Sequence, residues 1–91
     1  MQHDPITRAL QRPDMSRRAK GLLLEIIAID DPNLTTQDLI DAGPEGRAAV
    51  TSMLHELEAF GYARREQARE GYRFGPVRIV LADNLVERRN Q

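Results

Sequence analysis

The feature that most constrains the fold of this chain is a change in the spacing of its apolar residues at Gly61. Before Gly61, apolar side chains recur three and four positions apart, which is the period of an amphipathic helix. These side chains are Val50, Met53, Leu54, Leu57 and Phe60. Along 77–81 they alternate instead, as in a strand with one buried face. We therefore predict a helix over 45–60, closed by Gly61 as a left-handed cap, and then a β-hairpin.

The hairpin is predicted from strands at 62–69 and 72–81 with its tip at Glu70-Gly71. Gly75-Pro76 interrupts the second strand. Because proline has no backbone N–H to donate to a ladder, this dipeptide predicts a bulge or an edge position.

Upstream, the apolar spacing predicts a helix over 16–29, with the Ser16 hydroxyl as its N-cap. It should end before Pro32, which cannot continue a helix. Cations in its first turn oppose the helix dipole, so a phosphate partner there would be favourable.

A second, shorter helix is predicted over 36–42, capped by Thr35 or by Thr36. Leu34-Thr35 is predicted to form a very short strand. In the turn that follows, Pro44 lies at the kind of position that a first helical residue takes, where its missing N–H costs nothing, and the third helix is predicted to begin at about Glu45.

The order helix, short helix, longer helix, two-stranded hairpin predicts an α+β fold, a winged helix-turn-helix with three helices and a two- or three-stranded antiparallel wing. We expect an N-terminal arm over 1–13, either extended or a short turn of helix, the winged helix-turn-helix domain over 14–82, and a C-terminal tail over 83–91. In that tail, Leu85 and Val86 are apolar neighbours that can begin a short helix. The third helix would pack its apolar stripe inward and present its opposite face to a DNA major groove.

Three segments resemble a known family. "MSRRAKGLLLEI" (15–26), "LTTQDLIDAG" (34–43) and "EGRAAVTSMLHELEAFGYARREQAREGYRFGPV" (45–77) are similar to the winged-helix domain at the N-terminus of DnaD-like and of phage or plasmid replication-initiator proteins. The resemblance implies a recognition helix that begins with a glycine-arginine pair and an arginine-bearing wing. The 91 residues predict one domain without the second domain of the longer replication proteins, so a small regulator is expected.

The candidate DNA-contacting residues lie on three elements. On the third helix they are Arg47, Thr51, Ser52 and His55; on the wing Arg69 and Arg73; in the first turn of the first helix Arg17, Arg18 and Lys20. An arginine at the start of a recognition helix can donate a fork of hydrogen bonds to guanine. The alternatives are ordinary surface roles: an ion pair of Arg47 with Glu45 or an acid of the second helix, and solvated side chains elsewhere.

The distribution of charge along the chain limits the affinity expected for DNA. Residues 1–20 carry five basic and two acidic groups, 21–60 one basic and eight acidic, and 61–91 seven basic and four acidic. Because an acidic middle repels phosphate, useful affinity for double-stranded DNA would need a homodimer or a protein partner. The alternative function is a protein-interaction module on the same scaffold with little or no DNA binding.

Other function classes have little support. The chain has no cysteine and two distant histidines, His3 and His55, so we expect no metal site. No phosphate-binding glycine motif occurs, and we expect neither an enzyme nor a cofactor. The longest apolar run is far below the ~20 residues that span a membrane. A cytoplasmic, nucleoid-associated protein is therefore expected.

Overall fold

The computed structural model describes residues 4–71 and 73–87. They form five helices and one antiparallel two-stranded sheet, so the predicted α+β class is confirmed. The elements are α1 (Pro5–Leu10), α2 (Arg17–Ile29), α3 (Thr36–Ala42), α4 (Arg47–Ala59), β1 (Ala63–Glu70), β2 (Arg73–Leu81) and α5 (Asp83–Glu87).

The starts of α2 and α3 follow from their capping residues. The Ser16 hydroxyl accepts a hydrogen bond from the Ala19 amide at 3.1 Å, as predicted. At α3, Thr35 rather than Thr36 is the cap. Its hydroxyl accepts from the Asp38 amide while the Asp38 carboxylate accepts from the Thr35 amide, both at 3.0 Å. This reciprocal pair is a capping box, and it fixes the first residue of α3.

The prediction for the start of α4 was wrong. The helix begins at Arg47 instead of Glu45, and Pro44 lies in the turn before it. The reason is that Gly43 and Gly46 both adopt extended backbone, so the turn takes all four residues 43–46. Gly46 is the N-cap and makes no side-chain capping bond, so the amides of the first turn of α4 are not capped by a side chain.

The end of α4 is as predicted. Gly61 has φ of +79°, in the left-handed region that glycine occupies without steric cost. The Tyr62 amide donates to the Leu57 carbonyl at 2.9 Å and the Gly61 amide to the Glu58 carbonyl at 3.0 Å. These two bonds form a Schellman motif, which directs the chain straight into β1.

The hairpin strands lie within one residue of their predicted bounds, and the turn contains Gly71 at φ +63°. The bulge predicted at Gly75-Pro76 is confirmed, because these two residues of β2 together oppose Ala68 of β1. The side-chain amide of Gln67 donates to the Gly75 carbonyl and so closes the irregularity.

The predicted strand at Leu34-Thr35 is reduced to one bridge. Thr35 pairs with Arg78, and the Ile79 amide donates to the Leu34 carbonyl at 2.9 Å. This bridge ties the start of α3 to β2.

The core also includes the two ends of the described chain. Ala9 of α1 and Leu85 of α5 are fully buried, and α1 packs against α5. The segments expected to be an arm and a tail therefore each add a short helix and a buried side chain to the core. Residues 1–3 and 88–91 lie outside the described part.

Arg12 holds the segment between α1 and α2 on the end of α4. Its guanidinium carbon lies 4.4 Å from the centroid of the Phe60 ring, which stacks on Tyr62. Its Nη2 is also 2.9 Å from the Asp14 carboxylate. The hydrogen bond from Arg12 holds the pKa of Asp14 below its usual value, and the same bond raises the pKa of Arg12.

Candidate nucleic-acid interface

Helix α4 has one buried and one open face. Val50, Met53, Leu54 and Leu57 are buried. Arg47, Ser52 and His55 are exposed, and Thr51 is half-buried. Arg47, Thr51 and His55 are spaced four apart, so they lie one above another along ~12 Å of helix. The four residues predicted on this helix thus share one polar surface, which we call the α4 stripe.

Arg47 is held by a neutral partner. Its Nη2 donates to Gln37 Oε1 at 2.6 Å, and Gln37 Nε2 donates to Asp41 Oδ1 at 2.9 Å. Neither Glu45 nor an acid of α3 forms the direct ion pair that was the alternative. A guanidinium has five N–H donors, so this single bond orients Arg47 and leaves most of its donors available.

The N-terminus of α2 already has an anion beside it. The Ser16 amide and hydroxyl both donate to the Glu56 carboxylate of α4, the hydroxyl at 2.9 Å. A carboxylate at this position is favourable for the helix dipole. The Glu56 carboxylate therefore supplies much of the negative charge that a phosphate was expected to bring to this end of α2.

The predicted cations of α2 surround that end. Arg17 and Arg18 are exposed, Lys20 is half-buried, and among the described side chains none of the three makes an ion pair. Arg18 lines a depression of about 210 Å³ between α2 and α4, which Glu25 and Glu45 also line. The positive charge of Arg18 is thus partly offset by nearby acids.

The hairpin arginines divide into two groups. Arg64 and Arg78 both contact Glu66, at 2.8 and 3.3 Å, and Arg65 contacts Glu58 at 3.0 Å. All three are paired within the chain, although Arg64 and Arg78 share one carboxylate, so the three arginines and two glutamates keep one net positive charge. The backbones of Arg69 and Arg73, the predicted wing contacts, flank the turn at Gly71. Their side chains lie outside the described part of the structure.

The acids of the middle segment are unevenly placed. Asp30 and Asp31 follow the C-terminal end of α2, ~20 Å along the helix from Arg17. Asp38 is engaged in the capping box. Asp41 is the exception, because only the Gln37 amide separates it from Arg47. A phosphate near Arg47 would therefore meet Asp41, and also Glu45, which is exposed two residues before Arg47.

Sequence reasoning did not identify Gln37 or Glu56. Both are ordinary polar residues on predicted helices, and each acts on a residue of a different helix. Their roles depend on how the helices pack, for which the sequence carries no local signal.

No family model matches the chain, and neither the curated proteins nor the solved structures include a match to it. Within residues 4–71 and 73–87, no three histidine, cysteine or carboxylate side chains come together as metal ligands would. Nor does any helix there have both the length and the apolar character required to cross a bilayer.

Proposed function

We propose that this chain is a winged-helix protein that binds double-stranded DNA and acts as a sequence-specific transcriptional regulator. In this proposal α4 lies in the major groove and the hairpin contacts the backbone or the minor groove. The observation that carries the proposal is the α4 stripe, with an exposed arginine oriented by an uncharged amide at the start of the helix.

The stripe has the chemistry that base readout needs. An arginine donates two parallel hydrogen bonds to guanine, and each good pair of this kind is worth about 1–3 kcal/mol of discrimination. Thr51 and Ser52 are small, which lets the helix backbone approach the bases closely. His55 lies one turn further along α4, at a position that suits a contact with the DNA backbone.

The number of predicted cationic contacts sets the expected affinity for DNA. Arg17, Arg18 and Lys20 with Arg69 and Arg73 would give a monomer about five phosphate contacts, and a slope of log K against log salt near −4.5. We propose that the active form is a homodimer, because two half-sites double this count and add specificity.

The test begins with selection of bound fragments from genomic DNA, followed by fluorescence anisotropy on the recovered duplex. Arg47→Ala should weaken binding about 10-fold or more, the loss of one bidentate pair. The matched control is Arg64→Ala, which removes the same charge from a side chain already paired with Glu66. Its effect should stay within about 2-fold, since screened surface pairs contribute little. Absence of binding at ~50 mM salt, where phosphate contacts are strongest, would refute the proposal.

A further inference from the structure

A groove separate from the α4 stripe lies between the C-terminal end of α2 and strand β2. It has a volume of about 570 Å³, within the range of clefts that bind small ligands. Ile26, Ile79 and Leu81 form part of its lining and are themselves largely buried. None of the predicted DNA contacts with a described side chain lines it, and Arg17 and Arg18 lie at the other end of α2.

The rim of this groove is acidic. Asp30, Asp31, Asp83 and Glu66 line it, against a single guanidinium from Arg78. Glu66 is already neutralised by two arginines. Asp31 and Asp83 are exposed beside it, so even without Asp30 the rim carboxylates outnumber the two arginines that reach Glu66, which favours an occupant with cationic side chains.

Arg78 adds a hydrogen-bond donor. Its Nε is buried without a hydrogen-bond partner among the described residues, and its Nη2 has only the 3.3 Å contact with Glu66. The Arg78 side chain as a whole is 41% exposed, so its remaining Nη N–H donors are open to an acceptor supplied by a ligand.

We propose that this groove binds a short peptide segment of a partner protein in which lysine or arginine alternates with apolar residues. The apolar lining matches apolar side chains, the aspartate rim matches the cations, and the Arg78 donor matches a peptide carbonyl. A polyamine offers the cations and short methylene chains, but no carbonyl acceptor for Arg78. The proposal does not depend on DNA binding, and the groove would remain open to a partner while α4 contacts DNA.

The test uses a short dye-labelled peptide of alternating lysine and leucine, with an alternating glutamate and leucine peptide as control. In the wild-type protein, amide shifts on titration should concentrate at Ile26 and at 79–81, with none at Ser52 or His55. The double variant Asp31→Asn/Asp83→Asn should bind the lysine peptide about 10-fold more weakly, as expected for lost contacts with close charges. The matched control, Glu25→Gln/Glu45→Gln, makes the same charge change outside the groove and should stay within about 2-fold.

Several results would overturn the proposal. One is equal affinity of the protein for the two peptides. Another is an equal loss of affinity in the two double variants, and a third is amide shifts that fall on α4. Competition by spermidine as strong as by unlabelled lysine peptide would identify a small-cation site instead. Self-association that depends on Asp31 and Asp83, seen by light scattering, would identify a second copy of the chain as the occupant.

Discussion

The carboxylate of Glu56 is predicted to stabilise the fold by joining α4 to the start of α2. It accepts hydrogen bonds from both the amide and the hydroxyl of Ser16. Such bonds to a charged group contribute about 1.5–3 kcal/mol when they are buried. Here they are exposed, where charged contacts contribute about 0.2–1 kcal/mol, and the helix dipole adds about 0.3–1 kcal/mol. Glu56→Ala should therefore lower the free energy of unfolding by about 1–2 kcal/mol.

The assay is urea unfolding followed by far-UV circular dichroism, with thermal unfolding alongside. For a domain of this size, 1 kcal/mol corresponds to a change in Tm of about 4–8 °C. The matched control is Glu25→Ala, which removes a carboxylate from an exposed site of α2 and should change stability by less than about 0.5 kcal/mol.

A double-mutant cycle with Ser16→Ala isolates the contact between the two side chains. We expect a coupling energy of about 0.5–1 kcal/mol. If Glu56→Ala unfolds at the same urea concentration as Glu25→Ala, or if the cycle shows no coupling, the carboxylate does not contribute as argued.

Three further predictions concern single local features. Thr35→Ala should lower the free energy of unfolding by about 1 kcal/mol, because it removes the capping hydroxyl of α3. Thr36→Val should be neutral or stabilising, because the Thr36 hydroxyl is buried without a partner among the described residues. Equal effects of the two substitutions in urea unfolding would refute the assignment of Thr35 as the cap. Gly61→Ala should cost about 1 kcal/mol through its positive φ alone, since a Cβ there meets open space, and an unchanged urea midpoint would contradict the left-handed cap. By carboxyl NMR, Asp14 should titrate below its usual range and return towards it in Arg12→Ala. Because the folded-state pKa is lowered, the stability from this pair is present above the unfolded-state value and is lost as pH falls through the folded-state pKa; an unchanged titration in the variant would contradict the pairing.

The sequence predicted correctly those features that depend on residues close together in the chain. The Ser16 cap, the Gly61 turn and the bulge at Gly75-Pro76 each depend on residues within a few positions of one another, and all were predicted. Pro44 was placed wrongly because the backbone of its glycine neighbours, not its own preference, decides where α4 begins.

Contacts between distant residues were beyond prediction. Ser16 and Glu56 are 40 positions apart, and Gln37 and Arg47 are 10 apart on different helices. The sequence also did not indicate which hairpin arginines form ion pairs. Arg65, for example, contacts Glu58 only because the chain turns at Gly61. Periodicity identifies the face a residue occupies, but the partner it finds there depends on how the elements pack.

The central claim, that the α4 stripe contacts DNA, is tested most directly by amide chemical-shift mapping with the selected duplex at ~50 mM salt. We predict that the largest shifts fall on Arg47, Thr51, Ser52 and His55, with further shifts at 69–73. Absence of saturable shifts, or shifts concentrated around Asp30 at the C-terminal end of α2 and Val80 of β2, would contradict the claim.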